Sequence, residues 1–228
     1  MQNNETIVIS VGGSLIAPDQ INVPFLKNLK KFITKEVGLG KKFIIIAGGG
    51  KTCRRYQDAA KQIGSLVHED LDWLGIHATR LNGHLLRTVF YDIAFPALIK
   101  SPHKKVKTDK PVIIAAGWKP GWSTDYVAVR IAKNMGAKRL VNLSNIDYAY
   151  DKDPNKFKDA VKIKEVNWKT FRALLPTEWT PGLSAPFDPI AAAEAEKSSI
   201  EVAIINGSRL TQVENYLEGK TFTGTKIS

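Results

Sequence analysis

Hydrophobic positions along the 228 residues fall into short blocks of two alternating periods. Residues 6–11 are a β-branched run that stops at Gly12-Gly13-Ser14, which predicts a strand and then a glycine turn. Phe25, Leu26, Leu29, Phe32 and Ile33 recur at helical spacing and predict an amphipathic helix over 22–37, stopped by Gly38-Leu39-Gly40. Residues 42–47 predict a buried strand that runs straight into Gly48-Gly49-Gly50. Helical patterns follow over 51–63 and 70–99, the second ended by Ser101-Pro102. Residues 111–115 read as a strand and 117–123 as a loop containing glycine and tryptophan. A helix over 124–135 takes Ser123 or Thr124 as its cap. A strand over 139–143 and a polar loop or short hairpin over 145–154 come next. Helices near 167–175 and 187–198, a strand over 201–205 and a helix over 209–218 complete the pattern.

Strand and helix alternate throughout. That order predicts an α/β fold with a mostly parallel sheet covered on both faces. Ligands in such sheets bind beyond the carboxyl ends of the strands. The glycines at 12–13, 48–50 and 117 all fall there. No internal repeat or low-complexity linker divides the chain, so one domain with two lobes is expected.

Composition narrows the classes. Hydrophobic residues make up 43% and charged residues 24%, an ordinary globular balance. No apolar run approaches the roughly 20 residues of a membrane span. The first residues, Met-Gln-Asn-Asn-Glu, show no secretory pattern, and the single cysteine, Cys53, has no partner for an internal disulfide. A reducing, cytoplasmic location is expected. The net charge of +11 is concentrated in residues 1–110, which carry 17 Lys and Arg against 9 Asp and Glu. Either an anionic ligand binds there or the lysines are a solubilising surface. The lysines are not interleaved with aromatics, so no nucleic-acid platform is expected.

A strand, a glycine turn and a helix start together present free backbone N–H groups and the positive end of a helix dipole. Phosphate is the natural guest, and glycine lets its oxygens approach the backbone. Two known motifs are excluded. Gly50-Lys51-Thr52 resembles the end of a P-loop, but Ile45 stands where that motif needs its first glycine. Gly48-Gly49-Gly50 is followed by Cys53 where the dinucleotide fingerprint needs Gly or Ala. The histidines, His68, His77, His84 and His103, form no metal-binding spacing. No protein metal site is expected.

Six segments in order carry a resemblance. They are Val11-Gly-Gly-Ser-Leu15, Ala47-Gly-Gly-Gly-Lys51, Asp72-Trp-Leu-Gly-Ile-His-Ala-Thr-Arg-Leu-Asn82, Pro120-Gly-Trp-Ser-Thr-Asp125, Asn145-Ile-Asp-Tyr-Ala-Tyr-Asp-Lys-Asp-Pro154 and Phe187-Asp-Pro-Ile-Ala-Ala192. With this order and spacing, the chain resembles the amino-acid kinase superfamily, and within it the archaeal-type UMP kinases, over nearly its whole length. The resemblance implies a three-layer α/β/α sandwich, with an acceptor-binding lobe over about 1–137 and an ATP-binding lobe over about 138–228. It implies transfer of a phosphoryl group from ATP to UMP, in pyrimidine nucleotide synthesis. Mg²⁺ would come held by the ATP phosphates, and relatives suggest a homo-oligomer, often a hexamer.

By position, the resemblance puts Gly13 and Ser14 at the transferring phosphoryl group, Gly49 at the UMP phosphate and Gly50 at the ATP phosphates, with Arg54 nearby. Asp72 would receive the UMP ribose hydroxyls. The loop Trp118, Lys119, Pro120, Gly121, Trp122, Ser123 and Thr124 would close over uracil and the acceptor phosphate. Ser144, Asn145, Tyr150 and Asp153 would line the ATP site, and Asp125 and Asp188 would be catalytic carboxylates. For Asp125 and Asp188 the plainer alternative is a helix-start charge or cap.

Three positions depart from the family pattern. Ser10 stands where many members of the superfamily carry a lysine, so Lys51 becomes the candidate catalytic cation. Tyr148 replaces a glycine in the usual Val-Asp-Gly-Val-Tyr segment. Trp118 and Trp122 are bulky for an acceptor loop and would either stack on uracil or narrow the pocket. Two alternatives therefore stay open: a sister kinase acting on another small phosphate or carboxylate, such as isopentenyl phosphate, and a non-catalytic nucleotide- or oxyanion-binding relative.

Overall fold

The computed structural model describes residues 5–176 and 185–228. Along the chain run β1 (Thr6–Val11), α1 (Gly13–Ile16), α2 (Val23–Gly38), β2 (Lys42–Ala47), α3 (Gly50–Ile63), α4 (His68–Val89), β3 (Val112–Ala115) and α5 (Thr124–Met135). Then follow β4 (Arg139–Ser144), β5 (Ala149–Tyr150), β6 (Lys162–Ile163), β7 (Glu165–Val166), α6 (Trp168–Ala173), α7 (Pro189–Lys197), β8 (Glu201–Asn206), α8 (Leu210–Leu217) and β9 (Thr225–Ile227).

Among the described residues, seven strands form the main sheet in the order β3-β2-β1-β4-β8-β9-β7. Its central pairs are parallel, with Val11 opposite Ala47 and Leu143, while β9 runs antiparallel to β8. Alternate strand residues point to opposite faces, and both faces are dry. Ile7, Ile9, Phe43, Ile45 and Val141 pack toward α2, α4 and α8. Val8, Ile44, Ile46, Val202 and Ile204 pack toward α5, α6 and α7. The result is the expected three-layer α/β/α sandwich.

Local chemistry sets the helix limits. Asn22 caps α2 by accepting from Phe25 N–H at 3.1 Å, with Pro24 in the first turn. Ser123, one of the two expected caps, holds α5 by accepting from Tyr126 N–H at 3.0 Å.

The expected helix over 70–99 is shorter in the structure, ending at Val89. Pro96 has no N–H to donate and disfavours helical backbone before it. The chain instead runs beside β3, where Phe95 N–H donates to the Val112 carbonyl at 2.8 Å and Ile99 N–H to that of Ile114 at 2.9 Å. Of the hairpin expected within 145–154, β5 is one arm, and the arm paired with it is β6. Strands β6, β7 and β9 are too short to leave a periodic signal.

Candidate active site

Parallel pairing of β1 with β2 brings their following turns together at the carboxyl edge of the sheet. The two turns touch backbone to backbone. A Cβ added at Gly13 would lie 2.1 Å from the Gly50 nitrogen, and one at Gly50 would lie 2.3 Å from the Gly13 carbonyl carbon. Gly50 also has φ +64°, a left-handed conformation that a side chain resists. From the other side, Gly12 N–H donates to the Leu143 carbonyl at 2.9 Å, which ties the first turn to the end of β4 beside Ser144.

A cavity of about 290 Å³ opens beyond these turns. Among the expected site residues, Gly49, Gly50, Arg54, Asp72, Lys119, Trp122, Ser123, Thr124, Asp125 and Asp188 line it. Gly13 is buried behind this lining, in backbone contact with Gly50. Side chains on α4 hold the rim. Asn82, fully buried, donates from Nδ2 to the Gly48 carbonyl at 2.8 Å and the Gly49 carbonyl at 3.3 Å. Thr79 Oγ1 accepts from Gly117 N–H at 2.8 Å. Arg80 Nη2 donates to the Trp118 carbonyl at 2.8 Å. Asp72 accepts from Gly121 N–H at 2.8 Å, at the bend made by Pro120 and Gly121. Thr79, Arg80 and Asn82 stand within the segment 72–82 but carry no motif of their own; the only signal is that Thr79 and Asn82, three positions apart, share the buried face of α4.

Trp122 and Trp118 take different places. Trp122 lines the cavity and packs on Tyr126, with ring centroids 4.3 Å apart. Trp118 is edge-on to Trp122 at 4.5 Å and to His103 at 4.8 Å, with Lys119 Nζ 4.6 Å from its ring. Van der Waals contact and a cation over a ring thus stiffen the loop over 117–123.

Two carboxylates lie at the head of the cavity. Asp188 caps α7, accepting from Ala191 N–H at 2.6 Å. Burial pushes its pKa up, opposed by that bond and by the Ser123 hydroxyl. Asp125 is in the first turn of α5 and accepts from Ser10 Oγ on β1 at 3.2 Å. Desolvation, then the charge of Asp188, raises its pKa to about 7.

The remaining expected residues lie outside this lining. Lys51 Nζ stands 3.2 Å from Asp19 Oδ1, and Arg55 Nη2 reaches the same oxygen at 2.9 Å. Ser14 lies in α1. Ser144 ends β4, with its hydroxyl 3.4 Å from Asn145 Oδ1. Tyr150 ends β5. Asp153 holds a turn by accepting from Asn155 N–H at 2.9 Å. These last four lie at or after the end of β4, on the opposite side of β1 from the cavity-lining turn after β2.

Residues 5–206 match the model of the amino acid kinase family. The chain belongs to that family.

Relatives match the chain over nearly its whole length. A uridylate kinase of Sulfurisphaera tokodaii is 32% identical over 220 residues, covering 94% of this chain and 95% of the relative. A uridylate kinase of Thermoplasma volcanium is 32% identical over 228 residues, covering 98% of each. The crystal structure of uridylate kinase from Archaeoglobus fulgidus superposes with a TM-score of 0.81 at 25% identity, covering 97% of this chain and 99% of that one. In this amino acid kinase the turn after β2, the loop over 117–123 and the capped starts of α5 and α7 border one cavity. Among the described residues, no group of three His, Cys, Asp or Glu side chains is placed to hold a metal ion, and no helix is long and apolar enough to cross a membrane.

Proposed function

We propose that this amino acid kinase is an ATP-dependent uridylate kinase, moving the γ-phosphoryl group of ATP to the phosphate of UMP to give ADP and UDP in pyrimidine nucleotide synthesis. The observation that carries the reading is the backbone contact between Gly13 and Gly50 at the head of the Asp72-lined cavity. Two phosphorylated substrates meet where two amide-rich turns share space. The uridylate kinases similar to the chain along its whole length support the choice of UMP.

On this reading, UMP lies in the cavity. Asp72 accepts its ribose hydroxyls, Trp122 borders its base, and Gly49 N–H with Lys119 offsets the charge of its phosphate, while Arg54 stands near Gly50 and the ATP phosphates. ATP approaches from the β4 side, along Ser144, Asn145, Tyr150 and Asp153, with its terminal phosphate at Gly13, Ser14 and Gly50. The first lobe, about 1–137, supplies the acceptor side and the second, about 138–228, the donor side. Phosphoryl transfer needs positioning and stabilisation of charge on the transferring oxygens more than it needs a base. Asp125 meets that need indirectly, gripping Ser10 two residues before Gly12 and so aligning the amides of the first turn. Lys51 supplies a cation once it leaves Asp19.

Asp125 and Asp188 present two carboxyls at the head of the cavity, a donor set suited to Mg²⁺ arriving with ATP. Mg²⁺ would neutralise phosphate charge there, and its presence would favour the ionised form of both carboxyls. Among the described residues no histidine lines the cavity, so a kinase chemistry that relies on an active-site histidine finds no support there. Exposed Tyr56, Ile63, Leu66 and Val67, on α3 and the segment leading into α4, form an apolar face suited to a second copy of the chain.

A panel of nucleoside monophosphates incubated with ATP and Mg²⁺, read by ADP release, tests the reading. UMP is expected to be the preferred acceptor. ADP release independent of UMP, or faster with another acceptor, would overturn it.

A further inference from the structure

Asp147 lies in the loop joining β4 to β5, and its carboxylate oxygens are held by the last residue of β8 and the turn that follows it. Asn206 Nδ2 donates to Oδ1 at 2.8 Å, and Arg209 Nη2 stands 3.4 Å from Oδ2. Asn206 is itself fixed, since its Oδ1 accepts from Ser208 N–H at 3.0 Å and from the Ser208 hydroxyl at 2.7 Å. Next to it, Gly207 N–H donates to the Ser144 carbonyl at 2.9 Å. A Cβ on Gly207 would come within 2.3 Å of Leu15 Cδ1, so this turn is wedged between the end of β4 and α1. The far end of the loop is anchored separately, by Ala149 N–H donating to Thr225 Oγ1 at 2.9 Å.

We propose that Asp147 is a positioning residue for the nucleotide donor: its bridge to Asn206 and Arg209 holds loop 145–148 in the shape that presents Ser144, Asn145 and Tyr150 to ATP. The inference rests on the donor-side assignment above. Asp147 and Arg209 are 37% and 51% exposed in their side chains, so their ion pair adds little to fold stability in water. Its effect is instead to order four loop residues in advance. Ordering that is already in place does not have to be supplied by the binding of ATP.

The test combines calorimetric titration with ATP and steady-state kinetics on Asp147→Ala, Asn206→Ala, the double variant and Asp147→Asn. Asp147→Ala is expected to raise the Kd and KM for ATP about tenfold, with the KM for UMP held within about twofold and the melting temperature nearly unchanged. Asn206→Ala should do the same, and the double variant should be no worse than either single, because both remove one shared link. Asp147→Asn keeps an acceptor oxygen for Asn206 and should recover most of the affinity. Unchanged ATP affinity in Asp147→Ala would overturn the inference. Equal rises in the ATP and UMP constants would also overturn it, since they mark a general loosening. A parent protein that binds ATP but does not phosphorylate UMP would sink the uridylate kinase reading instead, and the ATP titrations would still decide the role of Asp147. A parent that binds no ATP would overturn both.

Discussion

Ser10 Oγ donates to Asp125 Oδ1 at 3.2 Å, across 115 positions of sequence and from strand β1 to the first turn of α5. The carboxyl facing that hydroxyl has its pKa raised to about 7. A carboxyl whose pKa rises on folding holds its proton more tightly in the folded state. The stability it supports is complete at low pH and is lost as the pH climbs from the ordinary value of 3.8 through about 7. The urea midpoint of the parent is therefore expected to fall between about pH 4 and about pH 7. Asp125→Asn, with no proton to lose, should flatten that slope and raise stability at the upper pH, leaving the smaller contribution of Asp188, whose pKa also rises. An identical slope in the variant would remove Asp125 as its source.

Gly50→Ala is expected to destabilise the fold by about 3 kcal/mol and to abolish transfer. The added methyl meets the Gly13 backbone at 2.3 Å in a left-handed conformation. Gly121→Ala is the comparison, with φ +77° but nothing within 4 Å of a Cβ. It should cost only about 1 kcal/mol, the backbone strain alone. Denaturant midpoints of the two variants check the difference.

Asp72→Asn should raise the KM for UMP about tenfold and leave that for ATP nearly unchanged, because a charge-assisted bond to ribose hydroxyls contributes about 1.5–3 kcal/mol. The amide oxygen can still accept from Gly121 N–H, so the loop keeps its shape. Asp72→Ala loses that bond as well and should raise the KM further. Initial rates at varied UMP measure both, and a parental KM in the Asn variant would remove ribose binding from Asp72.

Lys51→Ala is expected to lower kcat about 10²-fold, as loss of one strong donor to the transferring group does. Asp19→Ala frees Lys51 from its ion pair and should leave kcat at or above the parental value. Steady-state kinetics separate a catalytic lysine from a surface pair: a Lys51→Ala kcat within about threefold of the parent leaves it only the partner of Asp19 and assigns the charge stabilisation to the backbone amides and Mg²⁺.

What was legible in the sequence is what local chemistry dictates. Glycines directly after β-branched runs mark both turns, because no other residue fits there. Ser123 and Asp188 announce the helices they cap. The bonds that hold the site together are long-range and left no pattern of their own. Asn82 reaches the Gly48 carbonyl from 34 positions away. The pairing of Lys51 with Asp19 joins an exposed loop to a helix start, and hydropathy carries no trace of it. Helix α4 was read too long because the apolar residues 93–99 suit a sheet edge as well as a helix face, and Pro96 decides between them.

Strand β7 reaches the main sheet only through β9, which lies between it and β8. The segment that completes this edge, Thr225–Ile227, pairs with Val202, Ala203 and Ile204 of β8 on one side and with Glu165 and Val166 of β7 on the other. Until it is seated, β8 has a bare flank and β7 has no strand to join. During folding that open flank of β8 is exposed to mispairing with another strand.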